Sequence, residues 1–189
     1  MKRVFDHIRD HLYEVVGYFD RPIGVIPPPD KLYHSEWCWN FERLLRRRVG
    51  ELWDARFVGL MRNRFVMGAF RYGLFKEKHA KNYLYFRYAE LKAFRYGVTG
   101  NLECLVDTAN MALLEYLHPT HVTPHWADLN TSLTEYSCVE LVLPLYAVSG
   151  NLAYLIDVAA MAMLEFSRPT HVNSHWSADA SPGSKCPTV

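Results

Sequence analysis

Apolar side chains recur along most of this chain at the spacing of an α-helix. They do so over residues 3–19, and again over a longer stretch that is predicted to break near Gly50. Residues 82–97 and 102–117 show the same spacing on either side of Gly100, which is typical of a helical hairpin with a tight turn. No segment alternates apolar and polar residues as a half-buried strand does. The pattern predicts an all-α protein.

The second half of the chain contains an internal repeat with an offset of 50 residues. Residues 96–126 align with residues 146–176 without a gap, and 18 of the 31 aligned positions are identical. A repeat of this length predicts one supersecondary unit used twice. We therefore predict an antiparallel helical bundle with a tandem duplicated hairpin, residues 82–126 and 132–176. The second hairpin is expected to cover the first, as a partner subunit would, through the apolar stripe Leu152, Leu155, Ile156, Ala159 and Met163.

The same pattern divides the chain into four segments. Residues 1–35 are predicted to form a helix and a Pro-rich linker, and residues 36–126 a basic helical region with the first hairpin. Residues 127–176 carry the second hairpin. The tail, residues 177–189, is short, polar and rich in small residues, so it is expected to be disordered.

Charge is divided unevenly along the chain. Residues 1–100 contain 19 Lys and Arg against 11 Asp and Glu, a net charge of +8, whereas residues 101–189 contain 2 against 9, a net charge of −7. Either the two halves neutralise each other across an interface, or a basic surface lies beside an acidic pocket. No apolar run approaches the roughly 20 residues of a membrane helix. The four cysteines lack a CxxC pair, which favours a reduced compartment, so we predict a cytoplasmic protein.

Acidic residues of the first hairpin are spaced so that they can converge. Glu90 and Asp107 flank the turn at similar separations, so we expect them at nearly the same height on adjacent helices. Glu103, Asp107 and Asn110 share one helix face, and Glu115 lies further along. Carboxylates that converge from two helices are how helical bundles hold Mg²⁺, although such residues also form wet helix faces that pair with arginine. The second hairpin has alanine at the positions of Glu103 and Asn110, so a metal site is expected in the first hairpin.

These motifs resemble a known family. The order of GAFRYG, a basic helix with one acid, a Gly-Asn turn and LVDTANMALLEY looks like the MazG-like all-α nucleotide pyrophosphohydrolase group, with its phage-borne dATP/dGTP diphosphohydrolase-like branch closest in layout. The similarity covers about residues 57–118. Proteins of that group are helical, usually oligomeric, and hydrolyse a nucleoside triphosphate to monophosphate and pyrophosphate with Mg²⁺ held by carboxylates.

The resemblance implies roles for individual residues. Glu90, Asp107 and Glu103 would be catalytic, and Glu90, Asp107 and Glu115 would hold Mg²⁺ or Mn²⁺, which activates a water molecule. Basic, aromatic and amide side chains would bind the nucleoside triphosphate, namely Arg71, Tyr72, Arg87, Lys92 and Asn110. The acidic motif is shorter than the one usual in the group, so a relative kept for binding stays an alternative.

Each repeat ends in the motif Pro-Thr-His-x-x-x-His-Trp. It places His121 and His125 in the first repeat and His171 and His175 in the second. This spacing suits Zn²⁺ when both histidines lie on one helical turn. Nearby prolines favour irregular backbone instead, so the alternative is a capping loop whose Thr-His pair bonds to free helix carbonyls.

Three functions are compatible with these observations. The first is a Mg²⁺-dependent pyrophosphohydrolase that acts on (deoxy)nucleoside triphosphates. The second is a non-catalytic helical-repeat binding protein, a phage-type interaction or anti-defence module, that engages an anionic or protein partner. Nucleic-acid binding through the Arg-rich residues 43–64 ranks third, because no nucleic-acid motif is present and the acidic second half would repel phosphates. The sequence leaves open whether homodimers form.

Overall fold

Six α-helices make up the part of the chain that the structure, a computed structural model, describes. It covers residues 32–72 and 84–177, with side chains at 39–65 and 84–177. These ranges contain no β-strand, so the all-α prediction is confirmed. In chain order the helices are α1 (Leu32–Val49), α2 (Ala55–Tyr72), α3 (Tyr85–Thr99), α4 (Glu103–Leu117), α5 (Val139–Ser149) and α6 (Ala153–Ser167). The predicted helix at 3–19, the Pro-rich linker and the tail from residue 178 lie outside the described residues.

Helices α4 and α6 form the centre of the bundle. They pack on each other, and 12 of the 15 residues of α4 and 10 of the 15 residues of α6 are buried. Helices buried on nearly every side belong in the middle of a domain. Helices α3 and α5 cover them and contact each other, while α1 packs on α6 and α2 on α4. None of the described helices is long and apolar enough to cross a membrane.

The connection between α1 and α2 lies where the break near Gly50 was predicted. A 3-10 turn, Gly50–Leu52, follows α1, and Gly50 has a φ of 58°, in the left-handed region. Asp54 then begins α2, because its Oδ1 accepts hydrogen bonds from the backbone N–H groups of Arg56 (2.8 Å) and Phe57 (3.0 Å). The chain changes direction at this turn. Helix α1, before the turn, packs on α6, and helix α2, after the turn, packs on α4.

The two hairpins turn in the same way at positions 50 residues apart. Gly100 after α3 and Gly150 after α5 have φ values of 73° and 72°. Their N–H groups donate to Tyr96 O (2.7 Å) and Tyr146 O (2.8 Å) and so close the helix ends. The predicted apolar stripe of the second hairpin lies in the core, where Leu155, Ile156, Ala159 and Met163 are buried and Leu152 is partly buried.

Candidate functional site

A cluster of four charged side chains lies between α2, α3 and α4. Arg64 of α2 is ion-paired with both Glu103 and Asp107 of α4, and its Nη2 lies 3.1 Å from Asp107 Oδ2. Lys92 of α3 reaches the same carboxylate, with Nζ 2.6 Å from Asp107 Oδ2. Glu103 and Asp107 are only 3% and 7% exposed. Two buried carboxylates therefore face two cations of the same chain, which balances their charge.

The carboxylates also affect the ionisation of Arg64. Burial of the guanidinium disfavours its charged form, but the charges and hydrogen bonds of Asp107 and Glu103 outweigh burial. They raise the pKa of Arg64 above its ordinary value. Arg64 is thus a permanent cation of this cluster.

The second hairpin has a simpler version of the same contact. Asp157 occupies the position of Asp107, and Arg48 of α1 binds it through two hydrogen bonds, Nε to Oδ1 (2.6 Å) and Nη2 to Oδ2 (2.8 Å). The same Nη2 donates to Thr131 O at 2.8 Å. A two-point arginine–carboxylate pair is strong and directional. Each hairpin is therefore joined to the α1–α2 pair through one buried aspartate.

Glu115 has a different environment from Asp107. It is fully buried, and its Oε1 accepts hydrogen bonds from Thr120 N (2.6 Å), Thr120 Oγ1 (2.9 Å) and the hydroxyl of Tyr146 (2.7 Å). Its counterpart Glu165 accepts from Thr170 N (2.7 Å) and the Tyr96 hydroxyl. Each glutamate thus connects its own helix end to the following loop and to the first helix of the other hairpin.

The predicted site residues not yet described do not belong to the cluster of four charged side chains. Glu90 pairs with Arg87 at 2.8 Å near the surface of α3, and Lys92, not Glu90, is the α3 residue that reaches Asp107. The side-chain amide of Asn110 donates to Met61 O at 3.0 Å in the core between α2 and α4. The side chains of Arg71 and Tyr72 lie outside the described residues, although both belong to α2.

The carboxylates proposed as magnesium ligands are not brought together. Glu90, Asp107 and Glu115 have three different sets of partners, namely Arg87, then Arg64 with Lys92, then Thr120 with Tyr146. Within residues 39–65 and 84–177 no group of three or more His, Cys, Asp or Glu side chains is arranged to hold a metal ion. Mg²⁺ favours several oxygen ligands around one point. The arrangement of these residues does not fit Mg²⁺ or Mn²⁺, and binding of either ion at this place stays a prediction.

The histidine motifs lie in loops that cross between the hairpins. The loop of the first repeat binds the turn of the second, through His125 N to Gly150 O (3.1 Å) and Leu152 N to His125 O (2.8 Å). The loop of the second repeat binds the turn of the first, through His175 N to Gly100 O (3.0 Å) and Leu102 N to His175 O (2.9 Å). Asparagine side chains add to each contact, because Asn101 bonds to Ser177 and Asn151 to Ala127. We call these two contacts the crossed loops.

The histidine rings stabilise the crossed loops. Nδ1 of His121 accepts from Thr123 N, and Nδ1 of His171 accepts from Asn173 N, both at 3.1 Å. The rings of His121 and His171 also contact Tyr146 and Tyr96, with centroids 5.8 and 5.6 Å apart. The motif therefore has a structural role, but each loop caps the turn of the other hairpin and not the carbonyls of its own helix.

Sequence reasoning missed Arg48 and Arg64 as the partners of the two aspartates. They lie outside the repeat and are 16 residues apart, so the offset of 50 gave no reason to connect them with Asp107 and Asp157. The only signal was the run of arginines at 43–64, which was interpreted as a surface. At least two of its members instead contact buried carboxylates.

No protein family model, curated protein or solved structure matches the chain. The similarity to MazG-like proteins therefore depends on the motif residues alone.

Proposed function

We propose that this chain is a non-catalytic helical binding protein whose partner is a protein. The observation that supports this proposal is an exposed apolar face on α3 and α5, the α3/α5 face. It is formed by Leu91, Phe94, Val98, Leu141, Leu145 and Val148. Phe94 and Val148 are 65% and 86% exposed, although both lie on well-formed helices. Large side chains grouped in this way on a surface are typical of protein-binding sites.

The α3/α5 face is continuous because the two helices run antiparallel and touch. Gly97 near the end of α3 lies beside Glu140 at the start of α5, and Phe86 at the start of α3 packs on Tyr146 near the end of α5 (centroids 5.5 Å apart). The apolar rows on α3 and α5 therefore lie side by side. A binding surface on helices is rigid, which lowers the entropic cost of association.

Charge indicates what kind of protein fits. Helix α3 carries Arg87 and Arg95 against one acid, Glu90, besides Lys92, which pairs with Asp107, and Arg87 is 70% exposed. Basic residues around an apolar centre favour a partner segment that combines apolar and acidic side chains. The acidic second half of a further copy of this chain has that composition, so a homodimer is one form that the partner can take.

A photo-cross-linking amino acid at position 94 tests this proposal. We expect covalent adducts to a protein from position 94 and none above background from Val122, a control that is 91% exposed but lies in a loop. The double substitution Phe94→Asp and Val148→Asp is expected to weaken the captured complex at least about 30-fold, the effect of losing a single hot-spot residue that contributes about 2 kcal/mol. Adducts to a second copy would identify a homodimer. Equal labelling from positions 94 and 122 would contradict the proposal.

A nucleotide pyrophosphohydrolase is the second candidate. It is favoured by one observation, which is that Glu103, Asp107, Lys92 and Arg64 converge in the first hairpin, whereas Asp157 in the second has only Arg48 among charged partners of the described residues. Carboxylates beside cations are also found where enzymes bind phosphates. This candidate requires the cluster to rearrange before a metal ion can bind.

A nucleotide screen separates the two candidates. The purified protein is incubated with ribo- and deoxynucleoside triphosphates and Mg²⁺ or Mn²⁺, and pyrophosphate is measured. As a binding protein, the chain is expected to release none. Release that disappears in Asp107→Asn but persists in the matched variant Asp157→Asn would instead support the pyrophosphohydrolase. Both substitutions place asparagine, which has the size of aspartate, beside an arginine. A difference in pyrophosphate release between the two variants therefore reports on the first hairpin.

A further inference from the structure

A cleft of about 900 Å³ opens at one end of the second hairpin. Its walls come from the 3-10 turn and the start of α2, the ends of α3 and α6, and the start of α5. Apolar and aromatic side chains line much of it, among them Trp53, Tyr96, Val139, Met161 and Leu164. This volume is within the range of small-molecule sites. None of the functions considered above uses this cleft.

The first hairpin serves as an internal comparison, because its equivalent place is closed. There Phe86 packs over Tyr146, and both side chains are buried. In the second hairpin the residue equivalent to Phe86 is Tyr136, which bonds to Thr131 at 3.0 Å and lies outside α5. Helix α5 begins at Val139, four residues later than the equivalent start of α3. The shorter helix leaves the end of α3 uncovered and opens the cleft.

Among the described residues, the carboxylate of Glu140 in the cleft has no cation paired with it, whereas its counterpart in the first hairpin has one. Glu90 in the first hairpin is paired with Arg87, three residues earlier, at 2.8 Å. The equivalent of Glu90 is Glu140, and the equivalent of Arg87 is Ser137. Both line the cleft. Glu140 makes no hydrogen bond or ion pair with any residue in the described part of the chain.

The surroundings of Glu140 favour a positive charge. Glu51, Asp54 and Glu165 also line the cleft, against two arginines, Arg56 and Arg168. The guanidinium of Arg56 lies over the ring of Phe166, 5.7 Å from its centroid. Burial is the largest cause that raises the pKa of Tyr96 well above its ordinary value, and the hydrogen bond to Glu165 and the negative charges of Glu165 and Glu140 raise it further.

Gly97 allows the carboxylate of Glu140 to lie close to the end of α3. The equivalent of Gly97 in α5 is Ala147, and a Cβ at Gly97 would be 3.2 Å from Glu140 Oε1. The side-chain oxygen thus lies directly against backbone that carries no side chain. Leu164 and Met161 provide an apolar surface in the same cleft.

We propose that this cleft binds a small organic cation, a guanidinium or ammonium group on an apolar stem, with Glu140 as its counter-ion. The ligand cation takes the place beside Glu140 that the Arg87 guanidinium takes beside Glu90. Its stem packs on the apolar side chains of the cleft. A hydrogen bond between charged groups of this kind is stronger than one between neutral groups.

Calorimetric titration of the full chain with butylguanidine tests the site. We expect saturable binding by the wild type and at least about tenfold weaker binding by Glu140→Gln, since one charge-assisted contact is lost. The matched variant Glu90→Gln is expected to bind as the wild type does. Butylurea, which has a similar shape but no charge, is expected not to bind.

A second variant supplies a cation from the chain itself. Ser137→Arg places a guanidinium three residues before Glu140, as Arg87 is placed before Glu90. It is expected to abolish binding while leaving the unfolding temperature unchanged or slightly higher, so a loss cannot be attributed to misfolding. Absence of wild-type binding at about 10 mM ligand, or binding that survives both Glu140→Gln and Ser137→Arg, would overturn the proposal. Because none of the six residues that form the α3/α5 face is altered, these results are independent of the protein-partner proposal.

Discussion

Alanine at Gly100 is expected to destabilise the protein by about 2–4 kcal/mol, the sum of a left-handed backbone penalty and a steric clash. Gly100 has a φ of 73°, and a Cβ there would lie 2.5 Å from the carbonyl oxygen of Asn173. That oxygen belongs to the backbone of the crossed loop, so it cannot move without breaking the bonds of His175. Gly150→Ala should be equally damaging, because its Cβ would lie 2.6 Å from Thr123 O. Urea denaturation of the purified variants measures both effects.

Two other glycines separate the causes of this destabilisation. Gly50 also has a positive φ, 58°, but a Cβ there would meet nothing within 4 Å, so Gly50→Ala measures the backbone penalty alone, about 1 kcal/mol. Gly59 lies within α2 with the same free space, and Gly59→Ala is expected to be neutral or stabilising. If Gly100→Ala cost no more than Gly50→Ala, the close contact with the crossed loop would be refuted.

Replacement of Arg64 by methionine is expected to destabilise the protein by about 2–4 kcal/mol. The change removes the cation shared by Glu103 and Asp107, which are buried, and leaves Lys92 as the remaining partner of Asp107. A buried carboxylate that loses a cation is destabilised because it does not regain its hydration. The estimate lies below that of a fully buried pair because the Arg64 side chain is 31% exposed. Urea denaturation measures the loss.

Arg62→Met is the matched control for Arg64→Met. Arg62 lies on the same helix and pairs with Glu42 at 2.5 Å, but both side chains are more than 20% exposed, so its loss should cost at most about 1 kcal/mol. The triple variant Arg64→Met, Glu103→Gln and Asp107→Asn is expected to recover part of the lost stability, because no buried carboxylate remains and the Lys92 side chain, 21% exposed, can be hydrated. Equal effects of Arg62→Met and Arg64→Met would show that the cluster contributes no more than a surface pair.

Local signals in the sequence predicted much of the fold. The Gly-Asn turns, the helices beside them and the break near Gly50 are determined by residues within a few positions of each other, and the structure has them there. The buried stripe of the second hairpin followed from apolar spacing. Such features depend on backbone conformation and helix periodicity, which a single sequence shows directly.

The partners of charged residues could not be predicted in the same way. Helical spacing places Glu103 and Asp107 on one face, but it does not say whether a metal ion or an arginine from α2 neutralises them. Glu115 illustrates the difficulty, because Tyr146, which binds it, comes 31 residues later and belongs to the other hairpin. Contacts of this kind depend on how helices pack, and packing of distant segments leaves no local signature.

The exchange of loops between the two hairpins could not be predicted from the sequence either. Each repeat contains a turn and a loop, and the sequence does not say whether a loop contacts the turn of its own repeat or that of the other. The structure exchanges the loops, and His175 bonds to Gly100 while His125 bonds to Gly150. Identical sequence in both copies is equally compatible with either connection.

The crossed loops have a consequence for how the chain is made. The turn at Gly100 is completed only by residues near 175, so during synthesis it stays open until nearly all of the second hairpin has left the ribosome. Contacts so far apart in sequence form late and make folding cooperative. A chain truncated at residue 170 would therefore lack the contacts that complete the turn at Gly100, and the two hairpins would fold and unfold together.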